Sequence, residues 1–451
     1  MWYFLYNLAL IVASPAILMI LLAKKRCRAG IPQRLGWYPS EPADSKSTQP
    51  LIWIHAVSLG EVTAAVPLVR TLHARHPDYR LIVTTVTETG REAVEQRLAG
   101  AAEHRYVPLD FPWVVSRVVQ RLRPTLFVCV ETELWPNLLR ILSLRGVPIV
   151  LVNGRLSSQS YRGYRFIRPL MKQMLACVTS CLMQSPRDAE RIRDLGAPAD
   201  RIICTGNIKF DQPAPHNDST AVDSFRNLLL MDDEELFVAG STHPGEEEQL
   251  LDCYRTLMQH YPGLVLLLAP RHIERVAQVE AAVSAQGFAV VRRSLLSMGS
   301  VPLKGPRVII LDTRGELATI YRYAAVTFVG GTFVPVGGHN LLEPAIWGKP
   351  VFFGPYTDHC AEIADLLLQA AGGRRATGGA ELAMHVAAVL RDRSALERMG
   401  RAAQQVVLDN RGALERTVAV ITRLLGSSTK SQQPHLVNMQ CPAGQATMND
   451  E

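Results

Sequence analysis

The stretch GGTFVPVGGHNLLEPAIWGKPVFFGPYT, residues 330–357, decides the fold that we predict for this chain. An apolar run over 326–329 predicts a strand that ends at two glycines, and a second apolar run begins at Pro350. Between them, residues 337–340 (GGHN) lead into a predicted helix whose first turn carries Glu343. Glycines let a backbone approach a ligand closely, and the first N–H groups of a helix can bind an anion. The stretch therefore predicts a strand, a ligand-binding loop, a helix and a further strand.

The same alternation of apolar runs and helical segments recurs along the chain. The predicted strands are LIWIHAV, RLIVTTV, HRYVPL, TLFVCV, VPIVLV and SCLMQS before residue 211, and LFVAGST, GLVLLLAP, FAVVRR, RVIILDT, VTFVGG and PVFFG after residue 222. Continuous apolar strands separated by helices indicate parallel sheets covered on both faces. We therefore predict an α/β protein with two Rossmann-like domains facing an interdomain cleft, where ligands bind beyond the carboxyl ends of the strands.

The length of 451 residues is too great for one ordinary core, and turn-forming residues over 211–218 mark a boundary. We expect a membrane anchor over 1–23, a Rossmann-like domain over 24–211, a linker over 212–222, a second Rossmann-like domain over 223–425 and a disordered tail over 426–451.

The first 23 residues carry no charge, and the basic run KKRCR follows at once. About 20 apolar residues span a bilayer, and basic residues behind such a segment hold the following chain in the cytoplasm. Pro15 weakens the span, so a helix lying in the membrane interface is the alternative. The net charge of +7 favours an anionic partner, and the absence of a recognition motif argues against nucleic acid.

Three groups in the first half are candidates for chemistry because each follows a predicted strand. Glu61 lies at a helix start, where the helix dipole favours the carboxylate that a general base requires; support of the helix alone is the alternative. Glu131 and Glu133 form a carboxylate pair, and capping of the next helix accounts better for Glu133 than for Glu131. Lys209 suits charge compensation, with an ordinary solvated lysine as the alternative.

The second half offers groups suited to a phosphate-bearing ligand. Ser241 and Thr242 precede a helix whose acidic first turn is a strong start signal in itself. Arg271 places a guanidinium fork, which matches phosphate geometry, at a strand end. The chain contains no Asp-x-Asp and no Cys-x-x-Cys, so we expect neither a metal nor a cofactor.

Taken in order, the motifs HAVSLGE, VETELWPN, GNIKFD, STHPGEEE, APRH, DTRGEL and GGHNLLEP resemble those of the 3-deoxy-D-manno-octulosonic acid (Kdo) transferases of Gram-negative lipopolysaccharide synthesis, which are GT-B glycosyltransferases. The resemblance covers about residues 50–360. It implies that Glu61 is the general base and that Glu131 and Lys209 support the transition state. It also implies that the donor is bound by Ser241, Thr242, Pro270, Arg271, Thr313, Arg314, Gly315, Glu316, Gly338, His339, Asn340, Leu341, Leu342 and Glu343.

The implied reaction is a metal-independent, inverting transfer of Kdo from CMP-Kdo to a lipid A precursor (lipid IVA) at the cytoplasmic face of the inner membrane. Basic residues, among them Arg155 and Arg162, are candidates for holding the anionic acceptor. Arg314 departs from the apolar residue usual in that family, and we expect the backbone there to contact the base. Two alternatives are a GT-B transferase with a UDP-sugar donor and a membrane-anchored protein that binds a nucleotide without turnover.

Overall fold

The computed structural model describes residues 1–23, 30–38, 49–212, 226–231, 233–296 and 305–427. The chain forms two compact units: Met1–Gln212 with the chain from Arg411 onward, and Pro213–Asn410. Of the predicted linker only Gln212 is described, and of the predicted tail only residues 426 and 427. The basic run KKRCR lies outside the described residues.

The first unit is built on a parallel sheet in the order β3-β2-β1-β4-β5-β6-β7. Its strands are β1 (Leu51–His55), β2 (Arg80–Thr85), β3 (Glu103–Tyr106), β4 (Leu126–Val130), β5 (Ile149–Gly154), β6 (Ser180–Met183) and β7 (Ile202–Cys204). Every residue of β1, β4 and β5 is buried, as expected for central strands of a sheet covered on both faces. This confirms the predicted parallel α/β unit.

Helices cover both faces of this sheet. They are α1 (Trp2–Ala23), α2 (Ile31–Arg34), α3 (Leu59–Arg75), α4 (Glu88–Arg97), α5 (Pro112–Leu122), α6 (Pro136–Leu144), α7 (Ser158–Phe166), α8 (Arg168–Leu175) and α9 (Pro186–Asp194). In α5, Pro112 occupies the first turn, where a missing N–H costs nothing, and four valines bury one stripe of the helix: Val114, Val115, Val118 and Val119.

The predicted N-terminal helix is present as α1, but it packs against the first unit. The Tyr6 hydroxyl donates to Asp110 Oδ2 at 2.9 Å, and Asn137 Nδ2 donates to Asn7 Oδ1 at 2.7 Å. Tyr3 is buried, with its ring 4.5 Å from the Arg140 guanidinium carbon. Within the described ranges, no helix is both long enough and apolar enough to cross a membrane. The predicted membrane-spanning anchor is therefore not supported.

The last described helix belongs to the first unit, whereas we predicted that the second domain extends to residue 425. After the second unit the chain returns to the first, where α17 (Ala413–Ser427) packs on α3. Arg75 makes a 2.7 Å ion pair with Glu415, and Ile421 is buried in the apolar cluster that contains Leu68. The second unit ends at Asn410, not at residue 425, because the apolar face of α17 completes the first unit's core.

The second unit has its own parallel sheet in the order β10-β11-β9-β8-β12-β13-β14. Its strands are β8 (Glu235–Thr242), β9 (Leu264–Pro270), β10 (Ala289–Arg292), β11 (Arg307–Ile310), β12 (Ala324–Val329), β13 (Val351–Phe353) and β14 (Gly373–Arg375). The strand predicted before the opening stretch and the strand predicted near its end are thus confirmed as β12 and β13. The edge strand β14 was not predicted; it has three residues, two of them exposed arginines.

Helices α10 (Glu247–Met258), α11 (Val276–Ala285), α12 (Leu317–Ile320), α13 (Leu342–Ala345), α14 (Ala361–Gln369), α15 (Gly379–Arg391) and α16 (Arg393–Asp409) surround this sheet. The helix predicted after GGHN is α13, a single turn of four residues. Its dipole is correspondingly small, so the expected anion site at a helix N-terminus receives little support.

Candidate functional site

The strand order of each sheet reverses at one point, and ligands of open α/β sheets bind in the crevice at such a point. In the first unit β1 lies between β2 and β4, so the crevice lies where β1 and β4 end. Glu61 follows β1 at the start of α3, and Glu131 is the first residue after β4. The fold therefore brings the predicted catalytic carboxylates to one edge of the sheet.

Glu61 is held by its own loop and has an unusual acidity. Its Oε2 accepts from the Val57 N–H at 2.6 Å, and its Oε1 accepts from the Ser58 hydroxyl at 3.1 Å. Burial, together with the nearby carboxyls of Glu133 and Glu131, raises the pKa of Glu61 to about 7, although the Val57 hydrogen bond acts in the opposite direction. We expected the helix dipole to favour ionisation, but desolvation outweighs it. A carboxyl with this pKa can exchange a proton near neutral pH.

Glu131 has a strained backbone and a cationic partner. Its φ of 56° is left-handed, which costs a non-glycine residue energy and is typical of functional sites. The Lys209 Nζ lies 3.7 Å from Glu131 Oε1, and both side chains are about one quarter exposed. The structure therefore places Lys209 beside a carboxylate of this site, and an ordinary solvated lysine does not describe it.

Lys209 is positioned by a network that sequence reasoning did not identify. It lies in a short 3₁₀ turn, Ile208–Asp211, whose first residues are held by two asparagines: Asn207 Oδ1 accepts from the Lys209 N–H at 3.0 Å, and Asn153 Oδ1 accepts from the Ile208 N–H at 3.0 Å. Asn153 also has a left-handed φ of 55°, at the end of β5. Its place beside the GNIKFD motif depends on strand order, which no local pattern reveals.

The proposed capping role of Glu133 is wrong. Helix α6 begins after Trp135. The N–H groups of Asn137 and Leu138, in its first turn, donate to the Asp110 carboxylate at 2.9 and 2.8 Å. Glu133 instead accepts from the Trp135 indole at 3.3 Å, and burial raises its pKa. Glu133 therefore belongs to a cluster of three carboxyl side chains, with Glu61 and Glu131.

The two predicted acceptor arginines occupy different environments. The backbone N–H of Arg155 donates to the Thr132 hydroxyl at 3.3 Å, which joins this residue to the loop of Glu131. Arg162 lies on the exposed face of α7, and its Nε donates to the Ser158 carbonyl at 3.3 Å. Of the two arginines, Arg155 is thus connected with the loop that carries Glu131.

In the second unit the strand order reverses at β8, which lies between β9 and β12. Ser241, near the end of β8, has a left-handed φ of 57°. Gly330 follows β12, and a Cβ at this position would lie 2.5 Å from the Ser241 carbonyl oxygen. Glycine at this position is therefore required for the two strand ends to approach each other, whereas we had predicted the close approach of a ligand.

A carboxylate whose role we did not predict fixes the loop after β12. Glu246 is fully buried and accepts from the backbone N–H groups of Gly331, Thr332 and Phe333 at 2.7, 3.0 and 2.8 Å. It also accepts from the His243 N–H at 2.9 Å. The acidic run of STHPGEEE predicted a helix start, whereas Glu246 stabilises a loop some 85 residues away along the chain.

Several predicted donor residues have side chains that the fold already uses. The Thr242 hydroxyl is buried and donates to Glu247 Oε1 at 2.9 Å, while Glu247 pairs with Arg275 at 2.9 Å. Leu341 and Leu342 are buried in the core, and Pro270 is the last, buried residue of β9. The hydroxyl of Thr242 and the side chains of both leucines are therefore unsuited to bind a ligand, which corrects our prediction for Thr242.

Other predicted donor residues lie beyond the strand ends, where Arg271 is exposed and Gly338 is buried. Arg271 is exposed directly after β9, close enough to Glu343 and His339 to influence the pKa of each. Burial raises the pKa of Glu343, while Asn340 donates to its Oε1 at 3.4 Å. Gly338 has a left-handed φ of 84° and donates its N–H to the Gly331 carbonyl at 2.8 Å.

In the DTRGEL loop, Glu316 makes contacts within the protein, whereas Arg314 lies at the surface. Glu316 makes a 2.8 Å ion pair with Arg293 and accepts a hydrogen bond from the Thr313 hydroxyl. Gly315, which lies between Thr313 and Glu316 in the sequence, is exposed. Arg314 is 81% exposed and lies 3.5 Å from Glu274, which is also exposed. The departure at Arg314 therefore adds a charge to the surface.

No group of three or more His, Cys, Asp or Glu side chains within the described part of the chain is arranged to hold a metal ion. Two Rossmann-like parallel sheets in sequence, with charged groups at both switch points, define the GT-B fold class. A UDP-GlcNAc 2-epimerase from Neisseria meningitidis, solved with UDP-GlcNAc, shares this fold at 12% identity. Its TM-score is 0.59, and the match covers 83% of this chain and all of that one.

Sequence comparison identifies the family. Residues 29–212 match the family model described as 3-deoxy-D-manno-octulosonic-acid transferase. The chain is 36% identical to the 3-deoxy-D-manno-octulosonic acid transferase of Haemophilus influenzae, over 93% of this chain and 98% of that protein. It is 32% identical to that of Bordetella pertussis, over 93% and 99%. The chain therefore belongs to the Kdo transferase family and is a glycosyltransferase enzyme.

Proposed function

We propose that this protein transfers Kdo from CMP-Kdo to an anionic lipid A precursor, lipid IVA, in lipopolysaccharide core synthesis. The observation that carries the proposal is the group formed by Glu61, Glu131 and Lys209 at the switch point of the first sheet. A carboxyl with a pKa of about 7 suits the removal of a proton from an acceptor hydroxyl. The neighbouring ion pair suits the stabilisation of a charge that moves during transfer.

In the proposed reaction, Glu61 accepts the proton of the acceptor hydroxyl as its oxygen bonds to the anomeric carbon of Kdo. The bond from that carbon to the phosphate oxygen breaks, and CMP leaves with the electron pair. Inversion follows from attack on the face opposite the leaving group. Lys209 and Glu131 support the oxocarbenium-like transition state, and the proton on Glu61 passes to solvent afterwards.

Donor binding falls to the second unit in this proposal. The exposed Arg271 guanidinium presents a bidentate fork to the phosphate of CMP-Kdo. The loop of residues 337–340 and the backbone of Gly315 offer N–H groups at the same edge of the sheet. Arg271 supplies the positive charge that a leaving phosphate requires, so the proposal needs no metal.

The acceptor is a lipid, and the first unit has an apolar surface suited to a membrane interface. Helix α1 exposes Met1, Phe4, Leu5, Leu8, Ile11, Val12 and Met19 while its other face packs on the protein. Phe166, the last residue of the helix that carries Arg162, is 87% exposed between Arg165 and Arg168. We propose that α1 lies in the interface of the inner membrane, with both units on the cytoplasmic side.

The test incubates purified protein with CMP-Kdo and lipid IVA and determines the product mass. Addition of one or more Kdo units supports the proposal. A parallel incubation with UDP-GlcNAc tests the UDP-sugar alternative, and product there but not with CMP-Kdo would overturn the proposed donor. Binding of CMP-Kdo without any product would favour the nucleotide-binding alternative.

A further inference from the structure

Four histidines of the second unit lie around its switch point. His243 follows β8 directly, His272 lies two residues after β9, and His339 and His359 belong to loops after β12 and β13. The Nε2 atoms of His243 and His339 are 2.7 Å apart, and their rings are nearly parallel at 7°. The His272 ring is perpendicular to that of His243, with the centroids 5.9 Å apart. The His243–His339 pair therefore joins the two loops that border the crevice.

A contact of this length between two ring nitrogens needs one hydrogen, because two N–H groups facing each other would repel. The neutral pair has that hydrogen, and the pair can accept one more proton on an outer nitrogen. It is thus built to exist in two states that differ by one proton and one positive charge.

In the unliganded protein the pair is neutral at pH 7. Burial first, and then the neighbouring His243, Arg271, His359 and His272, lower the pKa of His339 to about 4. Burial also lowers the pKa of His243, and His272, Arg275 and Arg271 lower it to a smaller extent. The guanidinium groups of Arg271 and Arg275 are cations close to the pair, and each of them disfavours a proton on it.

The nearest carboxylates have other partners. Glu246 is saturated by the backbone N–H groups of four residues, and Glu247 pairs with Arg275. Glu343 is the further carboxyl of this region; its hydrogen-bond partner is Asn340, and burial favours its protonated form. Within the described part of the chain no carboxylate forms an ion pair with Arg271, so its positive charge is available to an anion at this switch point.

We propose that the His243–His339 pair binds an anionic group of the sugar nucleotide and takes up one proton from solvent when the donor binds. This inference rests on the proposed function, since it concerns the donor of that reaction. The anionic group is either the phosphate or the sugar carboxylate of CMP-Kdo, which have the same chemistry toward a protonated imidazole. The sequence motifs assigned His339 to donor binding without a chemical role, and His243 was not among the predicted donor residues.

Proton uptake makes donor affinity depend on pH in a defined direction. The empty pair gains its proton only at low pH, whereas an adjacent anion raises the pH at which it is held. Between the pKa of the pair without donor and its higher pKa with donor, each bound donor brings one proton, so the dissociation constant rises up to about tenfold per pH unit. We expect weaker binding of CMP-Kdo at pH 8 than at pH 6.

The test is isothermal titration calorimetry of the full chain with CMP-Kdo at pH 7, in two buffers with different ionisation enthalpies. The difference in heat gives the number of protons taken up. We expect close to one for the native protein, and close to zero for His339→Gln and His243→Gln. His260→Gln is the matched control, because His260 is exposed on the same unit and should behave as the native protein does. Thermal unfolding of each variant verifies that it is folded.

A titration with CMP separates the two sources of charge. Equal proton uptake with CMP identifies the phosphate, and uptake with CMP-Kdo alone identifies the sugar carboxylate. Normal binding of CMP-Kdo by the native protein without proton uptake would overturn the inference and leave the proposed function intact. Failure of the native protein to bind CMP-Kdo at all would overturn the proposed function, and this inference with it.

Discussion

Glu61 is a carboxyl that the fold keeps half buried beside two other carboxyls, and its substitution is the most direct test of the mechanism. Glu61→Gln preserves size and can still accept the Val57 hydrogen bond, but it cannot accept a proton. We expect turnover to fall about 10²- to 10⁴-fold. The affinity for CMP-Kdo should stay unchanged, because the second unit binds the donor in our proposal. Rate and donor binding are measured on the same preparation.

Thermal stability distinguishes this role from mere support of α3. The folded pKa of Glu61 is raised from 4.5 to about 7, so the folded chain binds more protons between these values and its stability falls as pH rises through them. Glu61→Gln should therefore unfold no earlier than the native protein at pH 8. A helix-supporting role predicts the reverse: a loss of up to about 1 kcal/mol with near-normal turnover.

The pH profile of the native enzyme provides a second prediction at this scale. A general base acts only when deprotonated, so kcat at saturating donor should fall about tenfold per pH unit below pH 7 and reach a plateau above it. The residual activity of Glu61→Gln should lack this inflection. An inflection that persists in the variant would assign it to another group.

At the level of single residues, sequence patterns predicted where the catalytic candidates lie but not their state. Glu61 and Glu131 each follow a predicted strand, and the structure confirms these positions. The raised pKa of Glu61 depends on burial and on Glu133, and neither is visible in a local pattern. The partners of Glu246 and the hydroxyl of Thr242 were missed for the same reason, since both involve contacts made only after folding.

At the scale of elements, α1 is tied to the loop that carries Glu131 and Glu133. Asp110 accepts from Tyr6 on one side and from the first N–H groups of α6 on the other. Tyr6→Phe removes one donor from this buried carboxylate and should lower the free energy of unfolding by about 1–3 kcal/mol. Tyr356→Phe, at a 40% exposed position, is the matched control. Urea denaturation measures both, and equal stability of the two variants would contradict a structural role for this contact.

Strands were predicted more reliably than short or composite elements. Continuous apolar runs such as those of β1 and β9 predict buried central strands, and the structure confirms both strands. Strand β14 has two exposed arginines and therefore no apolar pattern, and α13 was predicted but has only four residues. Helix α1 has the uncharged composition of a membrane span, yet three of its polar or aromatic residues, Tyr3, Tyr6 and Asn7, make specific contacts with the protein.

At the scale of the whole molecule, the proposed reaction depends on cationic side chains instead of a metal. We expect turnover of CMP-Kdo and lipid IVA to survive EDTA, because Arg271 and Lys209 can offset the charge of the phosphate and the transition state. Activity that is lost on chelation and restored by Mg²⁺ would overturn the metal-free mechanism. Thermal unfolding with and without EDTA verifies that the chelator leaves the fold intact.

The return of the chain to the first unit can be tested by its effect on stability. Ile421→Ala leaves a cavity in a fully buried position of α17 and should cost about 2–5 kcal/mol. Leu408→Ala, at a 47% exposed position of α16, should change stability by no more than about 0.5 kcal/mol. Tryptophan fluorescence reports mainly on the first unit, which has every tryptophan except Trp347. An unchanged fluorescence transition for Ile421→Ala would place α17 outside that unit's core.

The late arrival of α17 also has a consequence during translation. A ribosome makes residues 1–212 first, but the apolar face of α3 and β1 that receives Val418 and Ile421 stays uncovered until about residue 427 has left the exit tunnel. The second unit is one continuous stretch and is complete earlier. The part of the enzyme that is begun first is therefore finished last, and for most of synthesis it is the part that offers apolar surface to chaperones.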